Sequence, residues 1–288
     1  MGINSGLISM FGWGTSDFLT TKSSRKIGSV LTFFWTQIIS FFLALIYFIF
    51  NFKNFEISSI SKYIFIIIVA AFLFTVGTLS FFKGLIIGQA SIVCPLMASW
   101  AMIAVTLGII FLRELLKINQ IFAIILILFG IILISTSLKD LLNKNKLIFF
   151  AGVKEGIISM FCYGFAVFLL TLAIKSLGWF LPGFVLRLFI IIFIILYATI
   201  VNKQSLGVSF SSSSWVPIIL IGFFDIIAFF AYSFGVSVGY SSLVAPVAAS
   251  SPLVTIILAR IFLKEKLALN QIFGIIITIS GLILISVK

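Results

Sequence analysis

The sequence predicts an all-α integral membrane protein whose ten transmembrane helices form two inverted five-helix repeats. Three observations support this prediction: the composition, the number of apolar stretches, and a duplication that runs through most of the chain. Hydrophobic residues make up 62% of the 288 residues and charged residues 9%, with a mean hydropathy of +1.35. Soluble proteins are about 45–50% apolar and about 25% charged. Lipid must therefore be the solvent for most of this surface.

Ten apolar stretches are long enough to cross a bilayer, which requires about 20 residues of helix. Short polar breaks, many of them basic, separate these stretches. The apolar runs are continuous and lack the alternation of a membrane barrel, so they favour helices. The predicted spans are 3–21, 29–50, 63–82, 90–111, 119–138, 152–173, 180–201, 215–236, 243–262 and 270–287.

The duplication is clearest in the last helix of each half. Residues 119–136 read NQIFAIILILFGIILIST, and residues 270–286 read NQIFGIIITISGLILIS. The segment GLISMFGWG at 6–14 also matches GIISMFCYG at 156–164. We therefore divide the chain into a first repeat (1–138), a basic linker (139–151) and a second repeat (152–288).

Each repeat has an odd number of predicted spans, so the two copies must enter the membrane from opposite sides. Such a duplication creates a pseudo-two-fold axis in the membrane plane, as in many secondary transporters. The arrangement predicts a shared cavity between the halves near the bilayer midplane. Rocking of the halves would open this cavity to each side in turn.

Ionisable side chains inside membrane spans are costly, and each indicates a function by default. Asp17, Arg187 and Asp225 are the best candidates. Asp17 shares one helical face with the cavity candidate Trp13. It fits either a cavity wall or a carboxylate near the headgroups, about four residues from the predicted helix end.

Arg187 and its repeat counterpart Gln37 place a long polar side chain at the same depth of two spans. Symmetry therefore predicts that both face the central cavity. Arginine keeps its proton and needs an anion or water as a partner. The anion comes either from the substrate or from a protein carboxylate, and a structural ion pair and snorkelling to the interface are further alternatives.

Asp225 lies about ten residues into the eighth span, and its counterpart is Phe74, so symmetry does not explain it. Two functional roles fit: a carboxylate that takes up and releases a proton during transport, or the partner of Arg187. A residue that faces a water pocket without function is the third alternative. Tyr232, on the same helical face, is a further cavity candidate.

Pro95, Pro246 and Pro252 lie in the fourth and ninth spans. A proline there frees a backbone carbonyl and permits a bend, so these residues are candidates for a gate or an unwound binding segment. Pro95 and Pro246 also fit the first turn of a helix. Trp100 fits stacking on a flat substrate or packing in the core, and we favour packing.

Glu114 and Glu265 each follow a basic residue at a helix exit, and we expect both to be charged stops at the membrane interface. The two cysteines, Cys94 and Cys162, lie in apolar segments and form no disulfide or metal-binding pattern. The chain has no histidine and no phosphate-binding loop for ATP. We therefore expect no enzyme, no catalytic residue, no cofactor and no metal.

The net charge of +12 lies mostly between the spans, where it fits anchoring to anionic headgroups. We therefore expect no nucleic-acid partner. The expected partners are the lipid bilayer, a small-molecule substrate, and a proton or a counter-substrate. The expected assembly is a monomer or a homodimer.

Two segments and their second-half counterparts resemble a known family. They are FGWGTSDFLTTKSSRKIG (11–28) and SFFKGLIIGQASIVCPL (80–96). The chain resembles the EamA-like branch of the drug/metabolite transporter superfamily, which is built from two five-helix EamA repeats. The resemblance covers nearly the whole chain, and its most specific elements are Ser91–Pro95 and Ser242–Pro246.

The resemblance implies a secondary transporter of the cytoplasmic membrane for small metabolites such as amino acids, nucleotide-like compounds or drugs. It implies exchange or use of the proton gradient, and cytoplasmic termini. The loop charges instead favour both termini outside, and we give the family pattern slightly more weight. No family substrate residue is carried over, because these residues vary among members.

Three hypotheses of function follow. The first is a metabolite carrier, favoured by a closed central cavity lined by Arg187, Asp225 and aromatic rings. The second is a flippase or carrier for a lipid-linked headgroup, favoured by lateral openings between helices. The third is a non-transporting membrane scaffold, favoured by charges that face away from any cavity.

Overall fold

The structure is a computed structural model that describes residues 1–87, 90–136, 152–203, 205–207, 212–262, 264 and 267–286. The regular secondary structure in this part of the chain is entirely helical, and these residues form no strand. Its helices are α1 (Gly2–Ile27), α2 (Ser29–Asn51), α3 (Ile64–Ile87), α4 (Ala90–Ala98), α5 (Trp100–Phe111), α6 (Ile118–Ser135), α7 (Val153–Leu177), α8 (Leu181–Leu196), α9 (Ser212–Val238), α10 (Ser241–Ala248), α11 (Ser251–Phe262) and α12 (Leu269–Ser286). Two 3₁₀ turns (Phe52–Asn54 and Ile57–Lys62) precede α3, and a π turn (Tyr197–Val201) continues α8.

Among the described residues, eight helical segments are long and apolar enough to cross a membrane. Six of them lie in α2, α3, α6, α7, α9 and α12. The other two are Leu181–Val201, which joins α8 to the π turn, and Ser241–Phe262, which joins α10 to α11. A shorter apolar segment, Leu96–Leu112, includes α5. Many large apolar side chains point outward, as expected where lipid is the solvent. The chain is a multi-pass membrane protein.

Helix α1 is longer than its predicted span, because the basic residues that follow the span continue the helix. It runs to Ile27 and ends at Gly28, whose φ of 86° favours a residue without a Cβ atom. The counterpart Gly178 ends α7 with a φ of 81°. The longer helix places Asp17 ten residues before Ile27. The expected position of Asp17 about four residues from the helix end is therefore wrong.

The fourth and ninth predicted spans are each broken into two helices. Pro246 lies inside α10, and Pro95 lies at the equivalent position of α4. The first-turn alternative for these two prolines is therefore wrong, because each lies five residues after the first residue of its helix. The side chain of Pro95 lies outside the described residues. Pro252 is the second residue of α11, where proline fits without loss of a hydrogen bond.

The first helix of each half packs against helices of the other half. Helix α1 packs on α9, α10 and α11, and its counterpart α7 packs on α3, α4 and α5. Gly2 at the start of α1 contacts Gly235 and Gly239 at the end of α9. Lys175 near the end of α7 donates to the carbonyl oxygen of the same Gly239 at 3.3 Å. The first helix of one half therefore starts where the first helix of the other half ends. We call this the Gly239 face of the protein.

Helices α6 and α12 form a close pair that joins the halves. A Cβ atom on Gly274 would lie 2.8 Å from the backbone nitrogen of Ile134, so the backbones approach without an intervening side chain. Asn270 Nδ2 donates to the carbonyl oxygens of Leu133 at 2.9 Å and Thr136 at 2.8 Å. The duplicated Asn-Gln motif thus ties the start of α12 to the end of α6.

Candidate functional site

An ion pair between α8 and α9 lies far from the ends of both helices. Arg187 Nη2 donates to Asp225 Oδ2 at 2.9 Å. Ser40 Oγ of α2 lies 3.3 Å from the same carboxylate oxygen, and it donates to the carbonyl oxygen of Gly222 at 2.9 Å. Of the alternatives for Arg187, the structure shows a protein carboxylate as its partner.

The Arg187 guanidinium is almost completely enclosed, with 1% of the residue exposed. Its Cζ atom lies 4.2 Å from the ring centroid of Phe229, a distance that permits a cation–π interaction. Nε and Nη1 have no hydrogen-bond partner among the described residues. Because a guanidinium has five N–H donors, Arg187 retains capacity to bind a further anionic or carbonyl oxygen.

Gln37, the counterpart of Arg187, is also buried, with 6% of the residue exposed. Its Oε1 atom has no hydrogen-bond partner in the described part of the chain. Gln37 lies one helical turn before Ser40, on the same side of α2. Gln37 and Arg187 are both buried, but neither side chain lines the cavity described next, where symmetry predicted them to lie.

A small cavity lies between the two halves. Its volume is about 20 Å³, close to the space of a single water molecule. The candidates Trp13 and Tyr232 line it, with their ring centroids 5.7 Å apart. The complete lining is Trp13, Phe74, Ala166, Val167, Leu170, Leu186, Phe229 and Tyr232. This cavity is apolar and too small for a metabolite in this conformation.

Asp17 lies in the middle part of α1. The residue is exposed, although it lies far from both ends of α1. Its carboxylate interacts electrostatically with Asp225 of α9 and with Cys94 of α4, and Tyr163 of α7 interacts with both carboxylates. Ser251 Oγ of α11 donates to Asp17 Oδ2 at 3.4 Å. Asp17 therefore contacts α11 directly and lies within electrostatic range of ionisable groups on α4, α7 and α9.

Trp100 packs in the core, which is the alternative favoured from the sequence. It is 8% exposed, and Gly164 of α7 packs against its backbone. Trp100 is not part of the cavity lining.

Glu114 lies in the segment between α5 and α6, at a helix exit as the sequence suggests, but its carboxylate is buried against the second half of the chain. It is 4% exposed. Its Oε1 accepts hydrogen bonds from Ser241 N at 2.8 Å and Ser241 Oγ at 3.0 Å. Its Oε2 accepts from Ser242 N at 2.8 Å and Ser242 Oγ at 2.5 Å. Lys175 Nζ lies 3.5 Å from Oε1. Glu265 lies outside the described residues.

The four hydrogen bonds stabilise the charged form of Glu114. Burial by itself raises the pKa of this carboxyl group, because it disfavours the charge. The bonds from Ser242 and Ser241 outweigh burial, and they hold the pKa below its ordinary value of 4.5. The N-terminus of α10 also carries a partial positive charge that favours an anion. Glu114 is therefore ionised at neutral pH.

The Glu114 contact was missed because its two sides are 127 positions apart in sequence. One signal was available: Ser242 lies in the repeated Ser-x-x-x-Pro segment and aligns with Ser91. Two serines at a predicted helix start are typical donors for a carboxylate. No group of three metal-binding side chains occurs in the described ranges.

The fold and the site define a polytopic α-helical membrane protein with charged groups in its interior. The model of the EamA-like transporter family matches residues 1–136 and 150–287. The chain therefore belongs to the EamA-like transporter family.

Two further comparisons bear on the fold and on relatives. One solved structure matches with a TM-score of 0.78 over 99% of this chain and 96% of the other chain, at 13% sequence identity, which shows a shared fold. Uncharacterized protein MJ1333.1 of Methanocaldococcus jannaschii is 44% identical over 70 residues, 24% of this chain. The match spans about half the length of that relative (51%).

Proposed function

We propose that this protein is a secondary active transporter that moves a small metabolite across the cytoplasmic membrane by alternating access. The family membership supports transport as the general activity. The observation that carries the mechanism is the buried Arg187–Asp225 pair, which stands directly behind the cavity-lining ring of Phe229. Charges retained at this depth are expected to serve a solute pathway.

The proposal includes ten spans in two inverted repeats, residues 1–138 and 152–288, joined by the linker 139–151. The broken pairs α4–α5 and α10–α11 count as one span each, and α1 completes the set. Two facts support the inversion. Helix α1 packs on α9, α10 and α11 of the other half, just as its counterpart α7 packs on α3, α4 and α5. In addition, α1 starts at the face where α7 ends.

Asp225 and Arg187 give this carrier a means of coupling solute to protons. While Asp225 is charged, it occupies one side of the Arg187 guanidinium. Protonation of Asp225 would remove the negative partner, and Arg187 would then bind an anionic group of the substrate. Release of the proton would restore the pair and displace the substrate. Gln37 and Asp17 supply further polar contacts in this proposal.

The cavity must widen during the cycle, because about 20 Å³ accommodates no metabolite. The neighbouring rings of Trp13 and Tyr232, which are tilted by 35° to each other, would separate as the halves rotate. We propose amino acids, nucleotide-like compounds and drugs as the solute classes, in line with the family resemblance.

The test is exchange by the purified protein in liposomes, with radiolabelled amino acids, nucleotides and cationic drugs as probes. We expect at least one class to exchange faster than in protein-free liposomes. Lys53→Ala removes an exposed cation from a 3₁₀ turn. It serves as the control for variants of the interior charges, and it should retain exchange. Folded protein that exchanges none of the three classes would contradict the proposal. Activity confined to lipid-linked compounds would favour a flippase instead.

A further inference from the structure

Both halves of the molecule meet at a single carboxylate on the Gly239 face. Glu114 belongs to the first half, whereas Lys175, Ser241 and Ser242 belong to the second. We call these four residues the Glu114 cluster. All four hydrogen bonds to the carboxylate come from the start of α10, which is the first part of a broken helix.

We propose that the Glu114 cluster is the gate that closes the Gly239 face, and that it must open for a solute to reach the interior from this side. This inference rests on the proposed transport function. It adds a specific contact that breaks and forms in each cycle, which the family membership does not supply.

The position of the cluster fits a gate. Tyr232 of the cavity lining lies on α9, about 9 Å along the helix from its last residue, Val238. Ser241 lies three residues after that helix end, so the cluster lies between the cavity and the membrane surface. Lys175 extends the closure, because it binds both Glu114 and the carbonyl oxygen of Gly239.

Gly108 shows how closely the two halves approach here. A Cβ atom at Gly108 would lie 3.0 Å from Ser241 Oγ and 3.2 Å from Glu114 Oε2. A larger residue would therefore hold the start of α10 away from α5. The close approach places the carboxylate within reach of both backbone N–H groups of Ser241 and Ser242.

The bonds of the cluster suit a reversible closure. When α10 moves away, water can hydrate the carboxylate, the hydroxyl groups and the Lys175 ammonium, since the cluster lies at the end of the membrane helices. The α6–α12 pair differs, because its contact runs along two apolar helices and uses glycines inside the membrane. The halves can thus separate at the Glu114 cluster while the α6–α12 pair stays closed.

The experiment measures labelling of a cysteine placed beneath the cluster, in a Cys94→Ala and Cys162→Ala background. Ala245→Cys lies one turn into α10 and is fully buried. We expect the rate of reaction with a water-soluble maleimide to rise about tenfold when Glu114→Gln is added, which corresponds to about 1.4 kcal/mol. Glutamine keeps the size of the side chain but removes its charge.

A second reporter separates gating from loss of fold. Ala198→Cys is fully buried in the π turn at the other end of α8. We expect its labelling to stay unchanged by Glu114→Gln. Lys83→Ala breaks an ion pair with Glu155 away from the cluster, and it should leave Ala245→Cys protected.

The smaller change Ser242→Ala removes one hydroxyl donor and keeps the backbone bond. It should give an intermediate rate at Ala245→Cys. Unchanged labelling of Ala245→Cys in Glu114→Gln would overturn the proposal, and so would an equal rise at both reporters. The readout needs no substrate, so the absence of transport would leave this result interpretable on its own.

Discussion

The Arg187 guanidinium is a charged group enclosed by the protein with only part of its hydrogen-bonding capacity used. Its charge is held at 1% exposure by one carboxylate and by the face of Phe229, while two of its nitrogens have no partner among the described residues. Such an arrangement is costly for stability alone. It is explained if the guanidinium also binds a second, exchangeable group.

Arg187→Ala is expected to abolish exchange in liposomes. The variant removes the proposed anion site and leaves the partly enclosed Asp225 carboxylate without its cation, a change that costs about 3–5 kcal/mol in soluble proteins. Exchange and the melting temperature should therefore both fall.

A double variant separates the two effects. Arg187→Met combined with Asp225→Asn removes both charges, and it should recover most of the melting temperature but not the exchange. If exchange recovers along with stability, the pair is structural and Arg187 does not contact the solute.

Glu114 makes a prediction about pH. Its pKa in the folded protein is lowered, so its stabilisation is present above the ordinary pKa of 4.5 and is lost as the pH falls through the lowered value. At pH 7, Glu114→Gln should unfold at a lower temperature than the parent protein, with a loss of at least about 1.5 kcal/mol. Below pH 4.5 the two melting temperatures should converge.

Glu56→Gln is the matched control, because Glu56 is an exposed carboxylate between two 3₁₀ turns. Thermal unfolding of all three proteins from pH 7 to pH 3 provides the measurement. A stability difference that persists unchanged at pH 3 would contradict the charged hydrogen bonds.

The sequence identified some of these residues and missed others for a physical reason. Arg187 and Asp225 stand out because charges are rare inside apolar spans, and their pairing was among the alternatives. Glu114 lies outside a span, where charges are common, so local sequence indicated only a charged stop at the membrane interface. Its burial depends on serines of the other half, which pattern analysis cannot place beside it.

At the scale of helices, the contact between α6 and α12 is the most sensitive to a change of side-chain size. Gly274→Val would push a branched side chain against the backbone of Ile134 and the carbonyl oxygen of Gly130. Overpacking typically costs about 1–3 kcal/mol. We expect a lower melting temperature in detergent and a reduced yield of folded protein.

Ser280→Val on the same helix is the control for this variant. Ser280 is exposed, so the larger side chain meets lipid and should change stability by less than about 0.5 kcal/mol. Equal melting temperatures for the Gly274 and Ser280 variants would show that the two helices do not pack closely.

The apolar stretches of the sequence coincide with helices of the structure, but several predicted helix ends and breaks differ from the observed ones. The basic segment after residue 21 continues α1 as far as Ile27, so the helix is longer than its apolar stretch. Helices α4 and α5 are separated at Ser99, and α10 and α11 are separated just before Pro252, whose missing N–H would remove one hydrogen bond from a continuous helix. Hydropathy alone reads each pair as one span.

At the scale of the whole molecule, the proposed coupling depends on one of two nearby carboxylates. Asp225→Asn is expected to remove the dependence of transport on the proton gradient, because the amide cannot take up and release a proton. Asp17→Asn, the matched control, should keep this dependence, since Asp17 does not pair with Arg187 in the structure.

The measurement is exchange of the most active probe compound in liposomes with and without an imposed pH difference. A pH dependence that survives in Asp225→Asn and disappears in Asp17→Asn would assign the proton to the other carboxylate. If transport by both variants still depends on the pH difference, neither Asp225 nor Asp17 carries the coupled proton.

The duplication read from the sequence was sufficient to indicate the family, because motifs that recur in the same order are unlike chance apolar similarity. The dimensions of the interior were beyond sequence analysis. A cavity of about 20 Å³ depends on how Trp13 of α1 packs against Tyr232 and Phe229 of α9, and a rotamer change alters it.

The α6–α12 pair has a consequence for how the protein is made. Helix α6 leaves the ribosome well before α12, which ends at residue 286 of 288. Until α12 is inserted, the backbone oxygens of Leu133 and Thr136 lack Asn270 as their donor. During synthesis, the first half of the chain therefore lacks the packing partner of α6 until α12 is inserted. Premature termination anywhere before the last helix leaves that face of α6 open to quality-control proteases.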